Sequence, residues 1–136
     1  MMTAALVGLL LALSVGLLGT ASGLDRDRAY YPVIAIVVAS YYALFAVMGG
    51  STQALMGELL AGVLFAAAAI VGFRRSLWIT AAALAAHGLF DYVHADVVRN
   101  PGVPPWWPAF CLAFDVTAGA YLAWRLKRGR VRARVA

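Results

Sequence analysis

The chain has 136 residues, of which 64% are hydrophobic and 12% charged, with a net charge of +5 and a mean hydropathy of +0.85. A soluble domain carries about 25% charged and 45–50% apolar residues. This chain cannot cover its own surface with polar groups, so a water-soluble enzyme or binding module is excluded and an all-α, polytopic transmembrane helix bundle is expected.

A membrane-crossing helix needs roughly 20 consecutive apolar residues. Five segments qualify, at about 2–23, 29–49, 52–73, 76–97 and 105–126. The first could be a secretory signal peptide, but its start, MMTAA, has no positive charge and its apolar run exceeds a typical signal core. It is therefore expected to be a transmembrane helix. LDRDR follows it and reads as a solvated loop with local ion pairs. GGST separates the second and third segments and FRRS the third and fourth. Asn100-Pro101-Gly102 and Pro104-Pro105 separate the fourth and fifth, because proline stops one helix and starts another.

Residues 1–126 thus form one transmembrane domain and 127–136 a basic tail. Lys127, Arg128, Arg130, Arg132 and Arg134 follow an apolar segment, the pattern of a cytoplasmic juxtamembrane anchor for anionic lipid headgroups. No nucleic-acid-binding signature accompanies these charges. With the N-terminus outside, Arg26, Arg28, Arg74, Arg75 and the tail all face the cytoplasm and only Arg99 lies outside, as the positive-inside rule prefers. The expected localisation is the plasma (inner) membrane, multi-pass, N-out and C-in. Trp78, Trp106, Trp107 and Trp124 then sit near helix ends, where aromatic belts form. The one cysteine, Cys111, excludes an internal disulfide or a paired-thiolate metal site and is expected to be a small packing residue.

Polar residues inside these segments carry the functional signal. In HGLFDYVH (87–94), successive residues turn by about 100°, so His87, Asp91 and His94 fall within an arc of roughly 60° on one helix face. At about 1.5 Å per residue, His94 lies near the outer boundary and His87 about 10 Å deeper. Asp96 points away. Asp115 on the fifth segment should lie level with His87, and Glu58 on the third near Asp91, with Ser40, Tyr41 and Tyr42 of the second at matching depth. Ionisable groups at membrane depth cost a few kcal/mol, so they face inward and pair. Small residues beside them, Ala54, Ala61 and Gly62 on the third segment and Cys111 and Gly119 on the fifth, let helices approach closely.

This clustering supports three chemistries. Histidine nitrogens and carboxylate oxygens suit zinc, iron or manganese. His87, Asp91, His94 and Asp115 are the candidate ligands, with Asp115 or Glu58 alternatively orienting a histidine from behind. A metal there would make water nucleophilic near neutral pH. The product would be a metal-dependent hydrolase or other lipid-modifying enzyme, drawing a lipophilic substrate from the outer leaflet. Asp115, Glu58, Tyr41 and Tyr42 are its candidate catalytic groups, and Trp106, Trp107, Phe90 and Phe114 its substrate-binding surface. Alternatively, His87, Asp91 and Asp115 could perform metal-free acid–base work such as a double-bond isomerisation. Thirdly, Glu58, Asp91 and Asp115 could relay a proton, metal ion or small cation, although no internal repeat of the transporter kind is visible. Against all three stands simple mutual satisfaction, worth around 0.6 kcal/mol per interaction. A non-catalytic membrane subunit or homo-oligomer would fit that reading.

In residue types, HGLFDYVH together with Asp115 resembles the membrane metal-hydrolases related to alkaline ceramidases, which use histidines and an aspartate on transmembrane helices. Those enzymes have seven spans and a different histidine spacing, so the resemblance implies a kind of chemistry and transfers no residue roles. The segment RNPGVPPWWPAF (99–110) reads either as a lid, with Trp106 and Trp107 over a ligand, or as a proline-locked turn with interfacial tryptophans.

Overall fold

The computed structural model describes residues 1–132, which fold into five α-helices. They are α1 (Met2–Ser22), α2 (Tyr30–Met48), α3 (Thr52–Arg74), α4 (Leu77–Val97) and α5 (Trp107–Lys127). Arg134 lies outside the described residues. The helix ends follow local chemistry. Gly23 ends α1 with φ +79°, a left-handed conformation that glycine adopts without steric cost. Ser51 starts α3 by accepting the Ala54 N–H at 3.1 Å, a serine N-cap. Pro108 lies in the first turn of α5, where a missing N–H costs nothing.

Helices α1, α2 and α3 are long and apolar enough to cross a membrane. Their outward faces are mostly hydrocarbon, including Leu10, Leu17, Leu18, Leu60, Val63 and Leu64. α4 and α5 are 21 residues each but carry most of the buried ionisable groups, His87, Asp91, His94, Asp115 and Arg125, with Glu58 on α3. Successive helices alternate in direction, so the ends of α2 and α4 meet the beginnings of α3 and α5. α4 is the central element, packed on α5, α3 and α2, while α1 closes against α5.

Small residues set these approaches. A Cβ at Gly119 would stand 2.8 Å from the Ala81 carbonyl oxygen, and one at Gly88 3.1 Å from the Asp115 Cβ. α1 docks through Gly8, Ala12, Gly16 and Gly19, its only buried residues. All five helices contribute to one apolar layer formed by Ala12, Ala35, Val38, Ala69, Leu84, Phe114 and Ala118. Above that layer lies the HGLFDYVH cluster, and below it a second polar group.

That second group corrects part of the expectation of a solvated LDRDR loop: Arg26 and Asp27 are exposed, but Asp25 is not. Leu24–Arg26 forms a 3₁₀ turn that drives Asp25 into the bundle, where it is 0% exposed. Asp25 Oδ2 accepts from Arg125 Nη2 at 2.8 Å and from Thr20 Oγ1 at 2.8 Å. Arg28 Nη2 donates to the Phe73 carbonyl at 2.7 Å and Nη1 to that of Arg132 at 2.6 Å, satisfying the end of α3. An unpaired charge inside the bundle is too costly to persist, so these loop residues pair with distant helices rather than with each other.

Candidate metal centre and its surroundings

α4 presents His87, Asp91 and His94 along one buried face, as their spacing requires. The neighbouring helices then divide them. Asp115 of α5 meets His87, with Asp115 Oδ2 2.7 Å from His87 Nδ1, and Asp91 Oδ2 lies 3.3 Å from the same nitrogen. His87, Asp91 and Asp115 each offer a ligand atom, all within 4.8 Å of one another. This group could hold a metal ion. His87 is 3% exposed and both aspartates 0%.

One ring nitrogen carries at most one proton, and His87 Nδ1 is aligned on Asp115. Neither oxygen of Asp91 therefore finds a hydrogen-bond donor among the described residues, and Oδ1 of Asp115 is likewise unpaired. Buried carboxylate oxygens almost always have partners. With His87 neutral the three side chains carry a formal charge of −2, which a divalent cation cancels. The donor set, one imidazole and two carboxylates, suits zinc, iron(II) or manganese.

His94 belongs to a different group. Its Nε2 lies 2.8 Å from Glu58 Oε1, which also accepts from Asn100 Nδ2 at 2.8 Å. Asn100 donates to the Tyr42 carbonyl at 3.0 Å and accepts from the Gly102 N–H at 3.1 Å. The four-ligand set expected from sequence is thus brought together as three, with His94 facing Glu58. Glu58 sits level with His94 rather than with Asp91, slightly nearer the helix ends than expected. The turn holding Asn100 is wedged against α2: a Cβ at Gly102 would run into the Phe45 carbonyl oxygen, and one at Gly49 would stand 2.6 Å from Gly102 N.

Aromatic rings join the two groups. The Tyr42 ring stacks on His94 with centroids 4.0 Å apart and lies 6.5 Å from His87; its hydroxyl is buried without a partner among the described residues. Phe90 stands 6.5 Å from His87 and 5.7 Å from His94. Phe65 of α3 meets His87 edge-on at 4.7 Å. Tyr41 instead packs on Trp107 at 5.2 Å, and Trp107 on Phe45 at 4.8 Å. Phe114 is part of the apolar layer beneath the cluster. Trp106 is 49% exposed and borders a cleft of about 420 Å³ beside the start of α1. Among the described residues the two tryptophans make their ring contacts with Tyr41, Phe45, Phe110 and each other, away from His87. A further cleft of about 430 Å³ under the proline-rich turn is lined by His94 and Asn100.

Sequence reasoning missed Asn100 and Phe65. Phe65 was findable, since it lies seven residues after Glu58 and hence on the same face of α3. Asn100 was hidden by its prolines, which gave the turn a sufficient explanation without any role for its side chain. No protein-family model, curated protein or solved structure matches this chain. The resemblance to ceramidase-type hydrolases therefore rests on residue types alone.

Proposed function

We propose that this is a five-span membrane protein, N-out and C-in, that binds a divalent metal ion on His87, Asp91 and Asp115 and acts as a metal-dependent enzyme on a lipophilic substrate. Hydrolysis is the leading reaction class. The observation that carries the reading is Asp91: a fully buried carboxylate that completes no hydrogen bond among the described residues, with the Tyr42 hydroxyl and His87 Nδ1, 3.3 Å away, as its nearest donors and a second carboxylate close by. A cation satisfies all three together.

The metal would supply Lewis-acid polarisation and a nucleophile derived from water. In this proposal His87 and the two aspartates bind the ion. Glu58 and His94, held by Asn100, exchange a proton with the reacting group. The Tyr42 hydroxyl donates toward the developing negative charge, and Phe65 and Phe90 exclude bulk water. Trp106 and Trp107 flank the substrate's approach from the outer leaflet. The orientation draws support from the clustering of Arg26, Arg28, Arg74, Arg75, Lys127, Arg128, Arg130 and Arg132 at the bundle end opposite the site, where Arg28 ties α3 to Arg132. The corresponding location is the plasma (inner) membrane.

Elemental analysis of detergent-purified protein tests the metal, and lipid-extract incubation with product mass spectrometry tests the chemistry. Stoichiometric zinc, iron or manganese that His87→Ala loses, together with a released lipid fragment, is the expected result. Metal-free protein that still converts a lipid substrate would replace the proposal with acid–base catalysis. A second reading, cation passage, is favoured by one specific observation: buried polar groups lie on both sides of the apolar Leu84 layer. Ion flux in vesicles, abolished by Asp115→Asn, would select it.

A further inference from the structure

A groove between α2 and α3 leads from the outer face of the bundle to Glu58. It holds about 190 Å³ and is walled by Ile36, Ala39, Ser40, Gly62, Val63 and Ala66. The small residues create it: a Cβ at Gly62 would already stand 3.2 Å from the Ala39 carbonyl oxygen. Ile36 and Val63 are exposed, so the groove opens onto the face that hydrocarbon would cover. Ser40 donates its hydroxyl to the Val37 carbonyl at 2.7 Å, so it offers an occupant only a neutral oxygen acceptor, weaker than a carboxylate.

Glu58 is different. The residue is 2% exposed, and both bonds it accepts end on Oε1. Oε2 accepts no hydrogen bond among the described residues, and Glu58 lines the inner end of the groove. An acceptor facing hydrocarbon requires a donor, which lipid tails lack.

We propose that this groove is a lateral binding site for a single-chain lipophile whose head donates a hydrogen bond, a long-chain alcohol or protonated amine. The head meets Glu58 Oε2 and the chain lies along the α2–α3 seam. The narrow volume suits one chain. A two-chain phospholipid would set its phosphate against a carboxylate, which like charge disfavours. This inference rests on the reading of a lipophilic substrate: the occupant is the single-chain fragment that hydrolysis would release, leaving by the α2–α3 seam while the intact lipid enters past Trp106 and Trp107, and its binding does not require the metal.

The test is photo-crosslinking in detergent, on chelator-treated protein, so that failure of metal binding leaves the result intact. Three probes carry a diazirine in the alkyl tail and differ only at the head: alcohol, amine and methyl ether. Crosslinks of the alcohol or amine should map to Ile36, Leu59 and Val63. They should exceed those of the ether by about tenfold, as one hydrogen bond to a charged group provides. Preference for the amine identifies Glu58 as ionised, and equal use of both donors identifies it as an acceptor only; either supports the site. Ser40→Phe and Ala66→Phe, each filling the groove, should lower the yield at these residues, and Glu58→Leu should erase the donor preference. Equal labelling by ether and donors, or labels spread evenly over exposed residues of α1, α2 and α3, would overturn it.

Discussion

Replacing Asp91 by asparagine keeps the side-chain shape and removes the charge that lacks a partner. In wild-type protein, metal at a hundredfold excess over its dissociation constant should stabilise the folded state by about 2.7 kcal/mol. Loss of an outer-shell partner alone weakens metal affinity by roughly 10–100-fold, so loss of a direct ligand should reach at least the upper figure. At the same metal concentration the stabilisation then falls to about 0.4 kcal/mol. Asp115→Asn should behave alike, because both carboxylates belong to the one group whose atoms lie within 4.8 Å. Glu58→Gln should retain most of the metal effect, because Glu58 faces His94 instead. The assay is unfolding in detergent with and without zinc, manganese or iron(II), read by circular dichroism. A buried proton or water could also satisfy Asp91. Absence of stabilisation by all three metals would favour those and refute the reasoning, as would a Glu58→Gln variant that loses the effect as fully as Asp91→Asn.

Because ligands must shed protons to bind metal, zinc affinity measured by titration should weaken as the pH falls. Arg125→Met leaves Asp25 buried and unpaired and should destabilise the protein by about 3–5 kcal/mol, whereas Asp25→Asn with Arg125→Met should recover much of that in the same unfolding assay. Gly102→Ala forces the turn off the Phe45 carbonyl and should cost about 1–3 kcal/mol by overpacking; if it leaves stability unchanged, the turn does not fix Asn100. For orientation, in a Cys111→Ser background, Arg75→Cys should react with an impermeant thiol reagent only from the cytoplasmic side and Arg99→Cys only from outside.

Local chemistry made much of this legible in the sequence. Apolar length and turn residues located all five helices to within a residue or two of their ends, because helix formation in apolar surroundings is decided by continuous hydrocarbon and its interruption. Helical periodicity put His87, Asp91 and His94 on one face, and depth counting put Asp115 beside His87. The glycine and alanine positions of α1 were equally present in the sequence, but a stripe of small residues does not say which helix it meets.

Tertiary structure decided the partners. Whether His94 joins Asp91 or turns to Glu58 depends on the relative rotation and shift of α3 and α4. A displacement of one helical turn, about 5.4 Å, is enough to exchange one carboxylate for another. Asp25 shows the same limit: beside Arg26 and Arg28 in sequence, it pairs with Arg125, a hundred positions away along the chain. Periodicity fixes which way a side chain points around its own axis, while the packing of Gly88 and Gly119 fixes what stands opposite. Charge pairing acts over a few ångströms, and only the assembled bundle sets distances that small.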